Sequence, residues 1–194
     1  MLSEKLGHKL DRPLSSIITR SFLARFSPTT FTVTGLFLNL VAAGSILYGY
    51  WKTASLLILV AGFFDMLDGA AARTQKKTSR FGGFIDSVAD RYSDMALIIA
   101  FIIYYALDKD IFMVSLCAIT SIGFVLIPYT RAKAETLISN CNIGLMERAE
   151  RILLLSAGCY FNLMKPVFWI LAILTHLTVF QRIHYTWKEI QKLH

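Results

Sequence analysis

Cysteine is scarce in this sequence, and its three residues, Cys117, Cys141 and Cys159, stand apart. Without the paired spacing of a disulfide framework or a zinc site, they read as packing residues of a reduced protein. Internal repeats, low-complexity segments and linkers are missing too, which supports one compact bundle, a single domain over residues 1–194. Acid is also in short supply, with 13 Asp and Glu against 20 Lys and Arg and a net charge of +7. A cleavable signal peptide is not expected, because residues 1–27 (MLSEKLGHKLDRPLSSIITRSFLARFS) interleave charges with apolar residues. Leu14, Ile17, Ile18, Phe22, Leu23 and Phe26 can instead form the apolar side of an interfacial helix, with Arg20 and Arg25 toward headgroups. An ordinary solvated lead-in is the alternative.

What the chain has in quantity is apolar sequence: 55% of it is hydrophobic and the mean hydropathy is +0.54. Several apolar stretches reach the ~20 residues that cross a bilayer as a helix. The expected fold is therefore an all-α integral membrane protein, with six spans at roughly 30–50, 54–73, 83–106, 111–134, 146–163 and 166–188. An even number places both termini on one side. That side would carry Lys5, Lys9, Arg12, Arg20, Arg25, Arg73, Lys76, Lys77, Arg80, Arg91, Arg131, Lys133, Arg148, Arg151, Arg182, Lys188 and Lys192, leaving only Lys52, Lys109 and Lys165 for the other. By the positive-inside rule this 17 to 3 split makes the termini cytoplasmic in a multi-pass protein of the cytoplasmic membrane. It also accounts for most of the positive charge without a nucleic-acid partner. Tyr48, Tyr50, Trp51, Tyr104 and Tyr105 fall at the opposite ends of their spans, as interfacial anchors do.

Between residues 65 and 90 the chain reads Asp-x-x-Asp-Gly-x-x-Ala-Arg, then eight residues, then Gly-x-x-x-Asp-x-x-x-Asp. A carboxylate at membrane depth costs roughly 2.5 to 3.5 kcal/mol on insertion scales, so such a cluster calls for a function. Helical spacing puts Asp65 and Asp68 on one face, and Asp86 and Asp90 on one face of the next helix. Two facing pairs make an all-oxygen site for a hard divalent cation, Mg2+ first and Mn2+ second, with neither His nor Cys near the motif. Four carboxylates exceed the needs of one ion. Two ions sharing them could clamp a phosphoryl group during in-line displacement. Gly69 and Gly82 leave room for a phosphate beside the backbone, Ala72 keeps the same face open, and Arg73 can grip a phosphate through two parallel hydrogen bonds. The bland alternative pairs the acids with Arg73, Arg80 and Arg91. Asp94, one turn beyond Asp90, either steadies the metal acids or bonds to Arg91 or Ser93.

Asp65, Asp68, Gly69, Ala72, Arg73, Gly82, Asp86 and Asp90 reproduce the signature of the CDP-alcohol phosphotransferases, and the chain resembles that family. The resemblance implies six membrane helices around a polar cavity open to the cytoplasm, in a homodimer. It implies that an acceptor hydroxyl attacks the lipid-side phosphorus of a CDP-lipid and expels CMP. Asp65, Asp68 and Asp86 would hold two Mg2+ ions with help from Asp90, which would also be the general base. Asp68, Gly69, Ala72, Arg73 and Gly82 would bind the CDP-lipid. No Ser, Cys or His occupies a motif position, which favours direct attack over a covalent intermediate.

For the acceptor, the second half of the chain is informative. PYTRAKAETL, GLMERAERILLL and VFQRIHYTW bring Arg131, Lys133, Arg148, Arg151 and Arg182 to the same mouth as the acids. That is more positive charge than an uncharged alcohol requires. These segments resemble the phosphatidylinositol phosphate and archaetidylinositol phosphate synthases, in which the positions of Arg131, Arg151 and Arg182 bind the acceptor phosphate. Arg131 stands where the bacterial enzymes commonly have Lys, and Pro28-Thr29 where Pro-Asn is common. Arg148 is a further candidate for the phosphate, although pairing of Arg131, Arg148 and Arg151 with Glu135, Glu147 and Glu150 along helix faces would also explain the set. Glycerol 3-phosphate, or another phosphorylated alcohol, is an alternative acceptor. A magnesium channel or transporter is the alternative from another class, but it predicts acids spread through the membrane, and here they gather near one face. His176 reads as a hydrogen-bonded interior histidine, and His184 as either a substrate contact or part of an interface with Tyr185 and Trp187.

Overall fold

The computed structural model describes residues 27–74 and 79–192, with side chains left out at 72–74. The interfacial helix expected over residues 1–27 lies, except for Ser27, outside the described residues. Six helices follow in order: α1 Pro28–Leu47, α2 Trp51–Thr74, α3 Arg80–Leu107, α4 Ile111–Ala134, α5 Arg148–Phe161 and α6 Met164–Gln191.

Local chemistry sets their ends. Pro28 opens α1, where its missing N–H is no loss. The Ser79 hydroxyl caps α3 by accepting from the Gly82 N–H at 2.9 Å, and Asp110 caps α4 through the Met113 N–H at 3.0 Å. Asn162, in the left-handed region at φ 55°, stops α5.

Four of the described helices, α1, α2, α4 and α6, are long and apolar enough to cross a membrane. The first half of α3 carries Arg80, Asp86, Asp90, Arg91 and Asp94 before it turns apolar at Met95. Helix α5 is shorter than the expected 146–163. Its 14 residues span roughly 21 Å, less than the ~30 Å hydrocarbon layer. The shortfall arises because the segment leading into it is held as a loop: the Met146 N–H donates to Thr178 Oγ1 at 3.0 Å, and Gly144 adopts φ 132°, which a side chain would resist.

Helix α1 packs on α2 and α3, α2 on α5, α3 on α4, and α6 on both α4 and α5. The main core joins Ile46, Ile58, Ile98, Phe101, Phe124, Leu155, Phe168 and Leu171. Helices α4 and α6 approach closely at Gly123, where a Cβ would collide with Thr175. Outward-facing Phe37, Leu56, Ile99, Ile122, Trp169, Ile173 and Phe180 give the exterior a surface suited to lipid. Tyr48 and Tyr50 are exposed as expected of anchors. Trp51 and Tyr105 instead pack inward, with Trp51 edge-on to Tyr104 at 5.0 Å, because the helix ends converge there and burying rings stabilises the crossing. Cys117, Cys141 and Cys159 are buried and free.

The alternation of helix directions decides where the chemistry collects. The start of α1, the end of α2, the start of α3, the end of α4, the start of α5 and the last third of α6 carry Thr32, Asp65 and Asp68, Asp86 to Asp94, Arg131, Arg148 and Arg151, and Arg182, respectively. All of them meet at one end of the bundle.

Candidate active site

One carboxylate oxygen from each of Asp65, Asp68 and Asp86 lies within 4.8 Å of the others. Asp68 is steadied by α1, since Thr32 Oγ1 donates to its Oδ2 at 2.9 Å. Oδ1 of Asp86 is buried with no hydrogen-bond partner among the described residues, an unusual and costly state for a carboxylate oxygen. Three converging acids and an orphaned oxygen fit a hard divalent cation, whose preference is for oxygen donors.

Asp90 does not share that triangle. Its Oδ1 lies 2.7 Å from Arg148 Nη1, and its Oδ2 lies 3.4 Å from Arg91 Nη2. The same Arg148 Nη1 is in direct contact with Asp65 Oδ1, and its Nε is 3.7 Å from Asp94 Oδ1. The structure therefore sets Arg148 against the acids of α2 and α3. Asp94 has a partner that the sequence reading did not anticipate: neither Arg91 nor Ser93 but Arg151, whose Nη1 lies 3.1 Å from Asp94 Oδ2. Pairing with Arg91 or Ser93 was one of the two expectations, because only neighbours in sequence were visible; the actual partner comes from α5.

Arg151 is buried, 2% exposed, and each part of its guanidinium has a fixed neighbour. Nη1 donates to the Phe124 carbonyl at 3.3 Å, Nε donates to the Glu147 carbonyl at 3.4 Å, and the group lies 4.5 Å over the Phe124 ring. Pro128 explains why that carbonyl is open. Residue 128 has no N–H to return to residue 124, so the α4 ladder leaves an acceptor that Arg151 takes.

Arg131 and Arg182 are also held. Arg131 donates from Nε to Glu135 Oε1 at 3.0 Å, as the helix-face reading anticipated, and from Nη2 to Asn142 Oδ1 at 2.7 Å. Arg182 is 2% exposed; its Nε donates to the Ile143 carbonyl at 2.9 Å and its Nη1 to the Ile127 carbonyl. The loop between α4 and α5 thus orients two arginines at once. A cavity of about 910 Å³ brings the two sets together, lined by Asp65 and Asp90 and by Arg131, Arg148, Arg151 and Arg182. Lys133 is exposed and does not line it.

Gly69 follows Asp68 on α2, and Gly82 sits in the first turn of α3, where its N–H serves the Ser79 cap. The side chains of Ala72 and Arg73 lie outside the described residues. His176 is an interior histidine, its Nδ1 2.9 Å from the Ala172 carbonyl, and His184 stacks between Phe180 and Trp187 on the outer surface. Sequence reading missed Thr32, Asn142 and the part played by Pro128. No spacing marks the first two, while a proline four residues after Phe124 does signal an open carbonyl.

A family model described as CDP-alcohol phosphatidyltransferase matches residues 25–181. The chain is similar to an archaetidylinositol phosphate synthase of Pyrococcus horikoshii, 32% identical over 192 residues that cover 98% of this chain and 99% of the relative. Its fold is similar to the phosphatidylinositol phosphate synthase of Mycobacterium tuberculosis with CDP-DAG bound, with TM-score 0.80 and 25% identity, covering 92% and 94% of the two chains. A structure of that enzyme in complex with manganese and citrate aligns at TM-score 0.76 and 26% identity, over 91% of this chain and 88% of the other.

Proposed function

Because the chain belongs to the CDP-alcohol phosphatidyltransferase family and is a transferase of substituted phosphate groups, we propose that it moves a phosphatidyl or archaetidyl group from a CDP-lipid to inositol 1-phosphate. The observation that carries this reading is one cavity lined by both Asp65 and Asp90 and by Arg131, Arg151 and Arg182. A phosphorylated acceptor needs both sets. Its phosphate would lie against the guanidiniums, whose planar forks suit it, and its hydroxyl would then point at the acids.

In this reading Asp65, Asp68, Asp86 and Asp90 hold two Mg2+ ions, for which Mn2+ can substitute. When bound, they supply charge neutralisation at the pyrophosphate. Asp68, Gly69, Ala72, Arg73 and Gly82 bind the CDP end of the donor. Asp90 accepts the proton of the acceptor hydroxyl as its oxygen bonds to the lipid-side phosphorus. The bond from that phosphorus to the oxygen of CMP breaks, and CMP leaves. Arg131, Arg151 and Arg182, with Arg148, hold the acceptor phosphate so that attack is in line.

In this proposal all six segments cross the membrane, α3 with its polar end at the mouth and α5 together with the loop that leads into it, since its 14 residues alone fall short of the hydrocarbon layer. The termini and the site face the cytoplasm, in keeping with the 17 to 3 distribution of Lys and Arg. The protein acts as a homodimer, its outward apolar surface giving room for both lipid and a second copy.

The test is an acceptor assay: purified protein, Mg2+ and CDP-diacylglycerol or CDP-archaeol, with each labelled acceptor in turn. CMP release with inositol 1-phosphate is the expected result. Release with glycerol 3-phosphate but not inositol phosphate would overturn the choice of acceptor.

Asn142 gives a finer check. Asn142→Ala leaves Arg131 tied to Glu135 alone, so the KM for inositol phosphate is expected to rise about fivefold, the equivalent of about 1 kcal/mol or one ordinary hydrogen bond. The kcat and the KM for CDP-lipid should stay near wild type. A change in kcat alone would show that Asn142 does not act through the acceptor.

A further inference from the structure

The position of Arg148 is odd for an arginine. It is the first residue of α5, where the helix dipole disfavours a cation, so helix stability does not account for it. Its side chain is largely buried, 16% exposed, and reaches acids on two other helices. Nη1 touches Asp65 Oδ1 and lies 2.7 Å from Asp90 Oδ1, yet among the described residues the approach to both acids is too poorly aligned for a regular hydrogen bond. The contact is one of charge more than direction. That is the character of a place for a compact cation, where a planar fork is a poor fit.

Formal charge points the same way. Among the described side chains, Asp65, Asp68, Asp86, Asp90 and Asp94 face the guanidiniums of Arg91, Arg148 and Arg151, so acids outnumber cations there by two. Asp65 belongs both to the metal triangle and to the Arg148 contact, so a metal ion and Arg148 draw on the same carboxylate. Arg148 also lines the cavity that Arg131 and Arg182 line, so the same side chain borders both the acids and the space open to the acceptor.

We propose that Arg148 is a resident counter-cation of the acid cluster that competes with divalent metal for Asp65 and Asp90, and that turns toward the acceptor phosphate when metal binds. This rests on the reading of the acids as a metal site. The competition keeps the acids compensated before metal arrives. It also makes acceptor binding dependent on metal loading, and linkage requires the reverse dependence to be equally strong. Arg148 thereby orders the reaction: it offers its charge to the acceptor only once the donor side is armed.

The experiment is Mn2+ binding to the full-length protein in nanodiscs, followed by electron paramagnetic resonance without substrates. Arg148→Gln is expected to bind Mn2+ about tenfold more tightly than wild type. Equal or weaker binding overturns the proposal. Asp68→Asn must weaken Mn2+ binding in the same assay; if it does not, the metal reading itself fails, whatever Arg148→Gln does. A second measurement needs no variant. Mn2+ should raise the rate at which phenylglyoxal modifies Arg148 in the wild-type protein, read by peptide mass spectrometry, and an unchanged or slower rate refutes the displacement. A general electrostatic effect of removing a positive charge would tighten metal binding but leave that rate unmoved.

Discussion

Asp68→Asn is expected to cut CMP release by about 10³-fold or more and to abolish detectable binding of divalent metal. The substitution removes one charge from the triangle of Asp65, Asp68 and Asp86, whose oxygens lie within 4.8 Å of each other. It keeps an oxygen that can accept from Thr32, so the packing of α1 against α2 should survive. Loss of function would then report on the metal, separately from folding. Asp90→Asn provides the contrast. It stands outside the triangle, so the ion held by Asp65, Asp68 and Asp86 should still bind even where Asp90 helps to hold the second, while turnover falls by about 10²- to 10⁴-fold because the proton acceptor is gone. Calorimetric titration of Mn2+ beside a CMP-release assay separates the two. If Asp90→Asn retains substantial activity, Asp90 is not the base; if Asp68→Asn binds metal as wild type does, the triangle is not the metal site.

The largest effect on stability is expected at Arg151. Arg151→Met leaves Asp94 buried with only the more distant Arg148 Nε, at 3.7 Å, and leaves the Phe124 carbonyl without its donor. Removing one partner of a buried pair costs about 3 to 5 kcal/mol, because an uncompensated charge stays behind. In a chain of this size that is a fall in the thermal midpoint of about 10 °C. Asp94→Asn combined with Arg151→Met should recover part of the loss, since the stranded charge is then absent. Thermal unfolding of the single and double variants in nanodiscs measures this directly. A single variant as stable as wild type would show that the pair contributes no stability and serves substrate alone.

Much of this architecture is legible in the sequence. Helical periodicity and length placed the helices to within a few residues, and Asp65, Asp68 and Asp86 do converge as their spacing implied. Arg182 was expected at the same mouth as the acids, and it lines the cavity with Asp65 and Asp90. What spacing does not contain is the identity of the opposing residue on another helix. Asp94 and Arg151 are 57 positions apart, and Arg148 is 83 from Asp65, so nothing local couples them. Helix α5 came out shorter than expected for the same reason. Hydropathy counts Leu145 and Met146 as helix-compatible, but Thr178 of α6 takes the Met146 N–H and holds that segment in the loop.

By itself, then, the sequence determined an all-helical chain with several apolar helices and an acidic motif whose period aligns carboxylates on common faces. Those are properties of neighbours along one helix, and the chain carries them whether or not it is packed. The tertiary structure alone decided which charges meet. Helix directions alternate, so the acids of α2 and α3 and the arginines of α4, α5 and α6 share one end of the bundle. Burial there makes each unpaired charge costly enough to select its partner. Arg148 was placed among the acids by that selection, and no periodicity in the sequence could have placed it.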